Sequence, residues 1–270
     1  MAVKSYRPTT PGRRGASVVR RPDLAEPLKA LRKGKALRAG RAHSGRITVR
    51  HRGGAVKRRI RDIDFAQNKE VPAVVEHLAH DPFRSAFIAL LKYADGERRY
   101  VLAEEQQRTG AKVETGAKAA VRRGNRLPLG KIPAGTTIFN IQLYEGAESS
   151  LVRAAGSTAT VVSQETRLTQ VRLPSGEVRR ISSNCLATIG MVSNRERENI
   201  TIGKAGRNRR LGIRPHVRGK AMNPADHPHG GGEGGSPIGL KGPKTPSGLY
   251  TLGRKTRRKR KPRGGVVRAR

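Results

Sequence analysis

Apolar and polar residues alternate in short runs through the middle of the chain, and clusters of Gly, Pro and Asp separate those runs. Residues 71–79 and 85–93 each read as a strand, Asp95-Gly96 supplies a tight hairpin turn, and 98–103 continues the pairing. A break rich in Gly and Pro follows at Gly124, Pro128, Gly130, Pro133 and Gly135. Beyond it a second series runs over 136–144, 158–163 and 168–173, then through the turn Pro174-Ser175-Gly176 into 178–182. Strands this short and tightly linked predict an all-β fold of two small antiparallel β-barrels in tandem. One helical signal stands out, at 114–122, where Ala117, Lys118, Ala119 and Ala120 predict a turn or two of helix. The longest apolar run, Ala86 to Leu91, covers six residues. A membrane span needs about 20.

Charge divides the chain more sharply than hydropathy does. Residues 1–60 carry 18 Lys and Arg against 2 acids, residues 201–270 carry 19 against 2, and residues 61–200 carry 20 against 16. The two ends therefore hold 33 of the 37 net positive charges. They are also built from Gly, Pro, Lys and Arg, and bury too little apolar surface to offset the entropy of ordering, so they are expected to be disordered in isolation. Four segments follow: a basic extension over 1–60, a first barrel over 61–123, a second over 124–200, and a basic extension over 201–270. Self-repulsion of this size is relieved by a polyanion, and the commonest one able to surround both ends of a protein is nucleic acid. The first 22 residues lack the helix a transit peptide needs, because Pro8, Pro11, Gly12 and Pro22 interrupt it.

The basic residues of the extensions are interleaved with Gly and Pro. Arg13 and Arg14 follow Pro11-Gly12, Arg50-His51-Arg52 precedes Gly53-Gly54, and Arg207, Arg209 and Arg210 follow Gly206. Glycine permits close backbone approach to a phosphate and arginine can fork onto it, which suits a strand threaded between nucleic-acid helices. The alternative is a solvated basic tail. With five Tyr, four Phe and no Trp, the chain has few platforms for stacking single-stranded bases, so phosphate and shape readout is the better expectation. Arg84 in Asp81-Pro82-Phe83-Arg84-Ser85 and Arg153 in a small-residue segment could reach RNA from loops held by strands, or form surface ion pairs. In the segment from Met222 to Gly235, Asp226, His227 and His229 could serve as metal ligands or a general base. No further ligand or nucleophile motif supports either, so no catalytic residue, metal site or cofactor is expected there. The lone Cys185 excludes an intrachain disulfide, fits a reducing compartment and reads as a small buried hydrophobe.

These residues resemble the family of the universal large-subunit ribosomal protein uL2 (bacterial L2). The resemblance rests on Lys4-Ser5-Tyr6-Arg7-Pro8, Gly45-Arg46-Ile47-Thr48 with Arg50-His51-Arg52-Gly53-Gly54, Ile63-Asp64-Phe65, Asp81-Pro82 with Arg84-Ser85, and Asp95-Gly96-Glu97-Arg98-Arg99-Tyr100. Leu173-Pro174-Ser175-Gly176-Glu177, Arg218-Gly219, Ala221-Met222-Asn223-Pro224 and Asp226-His227-Pro228-His229-Gly230-Gly231-Gly232 complete it. Departures occur at Ala55-Val56, where the family usually has Gly-His, and at Leu211 and Ser247, where it commonly has Trp.

The resemblance implies an oligonucleotide-binding (OB) barrel, then an SH3-like barrel, with both extensions in 23S-type rRNA near the peptidyl-transferase region. It assigns RNA contact to Arg84 and Arg153 and places His229, the signature histidine, near that region in an architectural role, and RNA contact is expected of Arg218, His227 and His229 as well. The implied partners are large-subunit rRNA, neighbouring ribosomal proteins and the small subunit at an intersubunit bridge, with no membrane and no homo-oligomer. Magnesium held by the rRNA is compatible with this, and a bacterial cytoplasmic ribosome is favoured over a plastid or mitochondrial one. The competing reading is an enzyme, a transferase or metal-dependent hydrolase using Asp226, His227 and His229. A nonspecific DNA-compacting protein is disfavoured because it would not need two barrels.

Overall fold

The computed structural model describes residues 2–20, 24–34, 38–253 and 265–268. The basic run at 254–264 and Pro22 lie outside them. Among the described residues the N-terminal segment forms β1 (Ala2–Ser5), β2 (Ser17–Arg20), β3 (Leu24–Ala25) and β4 (Arg32–Gly34), followed by β5 (Arg59–Arg61). The first main sheet adds β6 (Ala73–His80), β7 (Phe87–Tyr93), β8 (Arg98–Leu102) and β9 (Lys112–Val113). The second contains β10 (Arg126–Pro128), β11 (Thr137–Phe139), β12 (Ala159–Gln164), β13 (Leu168–Arg172), β14 (Val178–Ser182) and β15 (Leu186–Ile189). A short helix, α1 (Ala205–Arg210), and a late strand, β16 (Val266–Arg268), follow.

The first sheet has the order β3-β6-β7-β8 with β9 also on β6, and the second the order β10-β15-β11-β12-β13-β14-β16. The fold is all-β with irregular extensions, and its sheets are open where the sequence predicts closed barrels. Strand β7 explains its own apolar run, because it is buried on both faces. One face joins Val75, Leu78 and Val101, and the other joins Ala79 and Tyr100. The second face is covered by Leu28 and Leu31 of the N-terminal segment, where the Leu28 N–H donates to the Tyr100 hydroxyl at 2.8 Å. Strand β3 pairs parallel with β6, so part of the first 60 residues contributes to this core.

Two local expectations differ from the structure. Residues 114–122 form a turn, not a helix: Gly116 holds φ +121, and the Asn125 side chain accepts from Glu114 N–H and donates to the Ala120 carbonyl, closing a loop that helical hydrogen bonds would have to break. The strand expected over 136–144 is three residues long, because Asn140 turns the backbone to φ +50. The Asn140 carbonyl accepts a 2.7 Å hydrogen bond from Arg126, the largest fully buried side chain among the described residues. Arg126 also donates to Thr188 Oγ1 at 3.2 Å and Ser149 Oγ at 2.6 Å. Burial pulls its pKa down to about 9, so it stays charged at neutral pH.

Contacts divide the chain into two units, 1–37, 57–207 and 264–270 in one and 38–56 with 208–263 in the other. Within the first, Ala86, Leu102, Phe139 and Val192 form a cluster that joins the two main sheets, with Phe65, Val152 and Ala155 against it. The second unit is described through 38–56 and 208–253 and has no apolar core. Backbone hydrogen bonds between turns link these segments.

Candidate nucleic-acid interface

Arg84 and Arg153 lie far apart in sequence and meet at one ring. Arg84 sits after β6, in the turn that starts at the buried Asp81, and Arg153 follows Val152, whose φ of +54 marks a tight bend. The Arg84 guanidinium carbon lies 4.4 Å from the centre of the Phe65 ring and that of Arg153 lies 4.6 Å from it. A guanidinium is attracted to the negative face of an aromatic ring, so Phe65 holds both side chains while packing against the cluster that joins the sheets. Arg84 Nε also forms a 3.2 Å ion pair with Asp81 Oδ2, and Asp81 Oδ1 accepts the Phe83 N–H at 3.0 Å. Burial pulls the Arg84 pKa below the ordinary arginine range, Asp81 opposes this, and the charge of Arg153 adds to it. Among the described residues Arg153 has no ion pair. Two cations held side by side with one carboxylate leave a net positive site for an external anion. Arg58 extends it, stacking over Phe83 at 4.8 Å and donating to the Pro82 carbonyl at 2.9 Å.

The fold brings Arg84 and Arg153 together at Phe65, and the sequence alone assigns no role to that ring or to Asp81 and Arg58. Ile63-Asp64-Phe65 was a motif without a function, and only proximity in the fold supplies one.

The Gly/His loop is held by its own hydrogen bonds. His227 is buried, its Nδ1 accepts the His229 N–H at 3.0 Å, and the two rings lie 4.6 Å apart. His229 Nε2 accepts the Lys244 N–H at 2.7 Å. The Nε2 lone pair of His229 is thereby engaged by the backbone. Burial lowers the pKa of His227, with His229 and Arg50 adding to the effect. The Asp226 side chain joins neither ring, and no group of three potential metal ligands occurs among the described residues. Gly230 lies against Asn223, where a Cβ would come within 2.3 Å of the carbonyl oxygen, so that glycine serves the loop's own packing.

The remaining candidates separate into two kinds. Arg13 stacks over Tyr6 at 5.3 Å in the loop between β1 and β2, with Arg14 exposed beside it. Arg207 turns inward and donates to the Ile202 carbonyl at 3.0 Å, so it braces the segment that carries it. Arg50, His51, Arg52 and Arg209 line one cavity, whereas Arg210 and Arg218 are exposed outside its lining.

Residues 28–115 match the family model described as Ribosomal Proteins L2, RNA binding N-terminal domain, and residues 122–248 match Ribosomal Proteins L2, C-terminal domain. The first match covers the sheet of β6 to β8 and carries Phe65 and Arg84, and the second covers the sheet of β10 to β15 and carries Arg153 and His229. The two sheets fit the OB and SH3-like folds of those domains. With both domains of one family present in order over most of its length, the chain belongs to the ribosomal protein L2 family, a structural and RNA-binding component of the large ribosomal subunit.

Proposed function

We propose that this chain docks on 23S-type rRNA near the peptidyl-transferase region through Arg84 and Arg153, while its two extensions neutralise phosphates inside the folded RNA. In this reading 61–123 and 124–200 act as two RNA-binding domains, and the positioned loops support subunit association, tRNA binding and peptide-bond formation without doing chemistry. Neighbouring ribosomal proteins and the small subunit are its protein partners, in a bacterial cytoplasmic ribosome. The observation that carries the proposal is the convergence of two arginines from two separate loops on the single ring of Phe65. A surface ion-pair former would not need such a device.

The test is a crosslinking map on total cellular RNA combined with binding to large-subunit rRNA fragments. Recovery at a few discrete large-subunit sites, and a loss of about 1–3 kcal/mol for Arg84→Ala and for Arg153→Ala, is expected for charge-assisted contacts. Scattered recovery, or unchanged affinity in both variants, refutes the proposal.

A further inference from the structure

Backbone hydrogen bonds shape the second unit. Residues 51–56 run against 210–214: Gly53 N–H donates to Gly212 O at 2.9 Å, Arg214 N–H to His51 O at 3.0 Å, and Val56 N–H to Arg210 O at 3.1 Å. Residues 40–49 fold back on themselves, with the N–H groups of Thr48 and Val49 both donating to Gly40 O, at 2.9 and 3.0 Å. Gly40 has φ +76, and a Cβ there would stand 2.1 Å from the Val49 carbonyl oxygen, so only glycine closes this loop. His51 holds φ +57, an uncommon conformation for a residue with a side chain, and sets the bend between Arg50 and Arg52.

These segments enclose an open cavity of about 850 Å³. Five arginines line it, Arg41, Arg50, Arg52, Arg209 and Arg214, and no acid does. Ile47, Val49 and Pro215 line it as well. Ile47 and Val49 are each 52% exposed, in the most cationic and least apolar part of the fold, where none of the described residues buries them. A site for phosphate alone needs no aliphatic wall. Recognition of a duplex runs along its grooves and backbone and does not enter a concavity. The volume lies in the range of pockets that hold molecules of nucleotide size. Unstacked bases have apolar faces that pack on aliphatic groups and guanidinium planes, and their flanking phosphates take guanidinium forks.

Resting on the RNA-binding function proposed above, we infer that this cavity takes one or two unpaired nucleotides extruded from folded RNA. Their bases lie against Ile47 and Val49 and their phosphates against the arginines. The site thereby reads an RNA irregularity, whereas Arg84 and Arg153 hold the body on the surface of the RNA.

The full-length protein would be titrated at fixed physiological salt with two synthetic RNA hairpins, one fully paired and one with the same stem carrying a two-uridine bulge. A preference for the bulged hairpin of about tenfold or more is expected from packing the base faces on Ile47, Val49 and the guanidinium planes. The double substitution Ile47→Ser with Val49→Ser keeps every charge, and should reduce that preference to threefold or less while leaving the paired hairpin unaffected. Equal affinity of the unsubstituted protein for the two hairpins, or an equal loss on both in the variant, overturns the inference. Independently of any variant, 4-thiouridine placed in the bulge should crosslink to peptides within 38–56 or 208–216, and crosslinks found elsewhere alone overturn it. Selective binding of large-subunit rRNA over tRNA competitor without the bulge preference would sink this inference only. Bulge preference without selectivity for large-subunit rRNA would sink the broader proposal.

Discussion

Replacing Phe65 by leucine should weaken rRNA binding although Phe65 carries no charge. The ring holds two guanidinium groups at 4.4 and 4.6 Å, and a cation–π contact at a partly exposed site contributes about 0.5–1 kcal/mol. Leucine fills most of the same apolar volume against Ala86, Leu102, Phe139 and Val192, so the fold should lose less than about 1.5 kcal/mol. The larger effect is on binding. Arg84 and Arg153 would each become free to rotate, and immobilising such a side chain on association costs about 0.5–1.5 kcal/mol. With both side chains freed, the expected loss is therefore about 1–3 kcal/mol, roughly 5- to 160-fold in Kd.

Fluorescence titration with a large-subunit rRNA fragment across a salt series separates this from loss of charge. Phe65→Leu should keep the salt slope, because both arginines still reach phosphate, whereas each Arg→Ala should flatten it by somewhat less than one unit. Ring and arginines should also be coupled: in a protein already carrying Arg84→Ala and Arg153→Ala, Phe65→Leu should have no further effect on affinity. A loss of the same size in that background would refute the reasoning, since Phe65 would then act through folding or touch RNA itself.

Three other outcomes follow from particular groups. His229→Gln keeps an acceptor for the Lys244 N–H and should permit subunit assembly and most single-turnover peptidyl transfer in reconstituted subunits, while His229→Ala should impair assembly; full assembly of the Gln variant with a roughly 100-fold loss of transfer would revive a general base. Burial raises the pKa of the Glu104 carboxyl, so its charged form is penalised in the folded protein above that pKa and the penalty fades as pH falls; Glu104→Gln should raise the Tm at pH 7–8 and match the parent below about pH 4.5. Burial also pushes the Cys185 thiol up to about 11, so alkylation at pH 8 should be slow in native protein and fast in denaturant, and rapid native labelling would contradict its placement in the core.

Periodicity made the strands legible where one strong signal ruled. Strand β14 falls on 178–182 as expected, between a Pro-Ser-Gly turn and a polar loop, and β7 announces itself by an unbroken apolar run. Strands β10 and β15 were not legible, because each is short and adjoins polar residues that are buried for reasons outside its own segment. Arg126 and Thr188 are such residues, and they pair with each other across these two strands. The helical signal at 114–122 was real as propensity but lost to the loop closed by Asn125. The three residues that build the arginine site could not be found in one dimension, since Phe65, Arg84 and Arg153 lie in three different loops.

Net charge pointed to nucleic acid but did not say which cations face it, and internal pairing narrows that choice. On the first sheet Arg98 is matched by Glu76, Arg99 by Asp64 and Glu97, and Lys69 by Asp95 and Glu97. These basic residues spend their charge inside the fold and help it stand near neutrality without RNA. Arg153 and the five arginines of the cavity have no ion pair among the described residues, and Arg84, paired with Asp81, lies at the same ring as Arg153. Exposed pairs contribute little to stability, and these withdraw Arg98, Arg99 and Lys69 from the cations available to an external anion. Among the many cations without an internal pair, Arg153 is held at an aromatic ring and the cavity arginines are held in loops shaped by backbone hydrogen bonds. Both have defined geometry, and that is what separates recognition of one folded RNA from attraction to any polyanion.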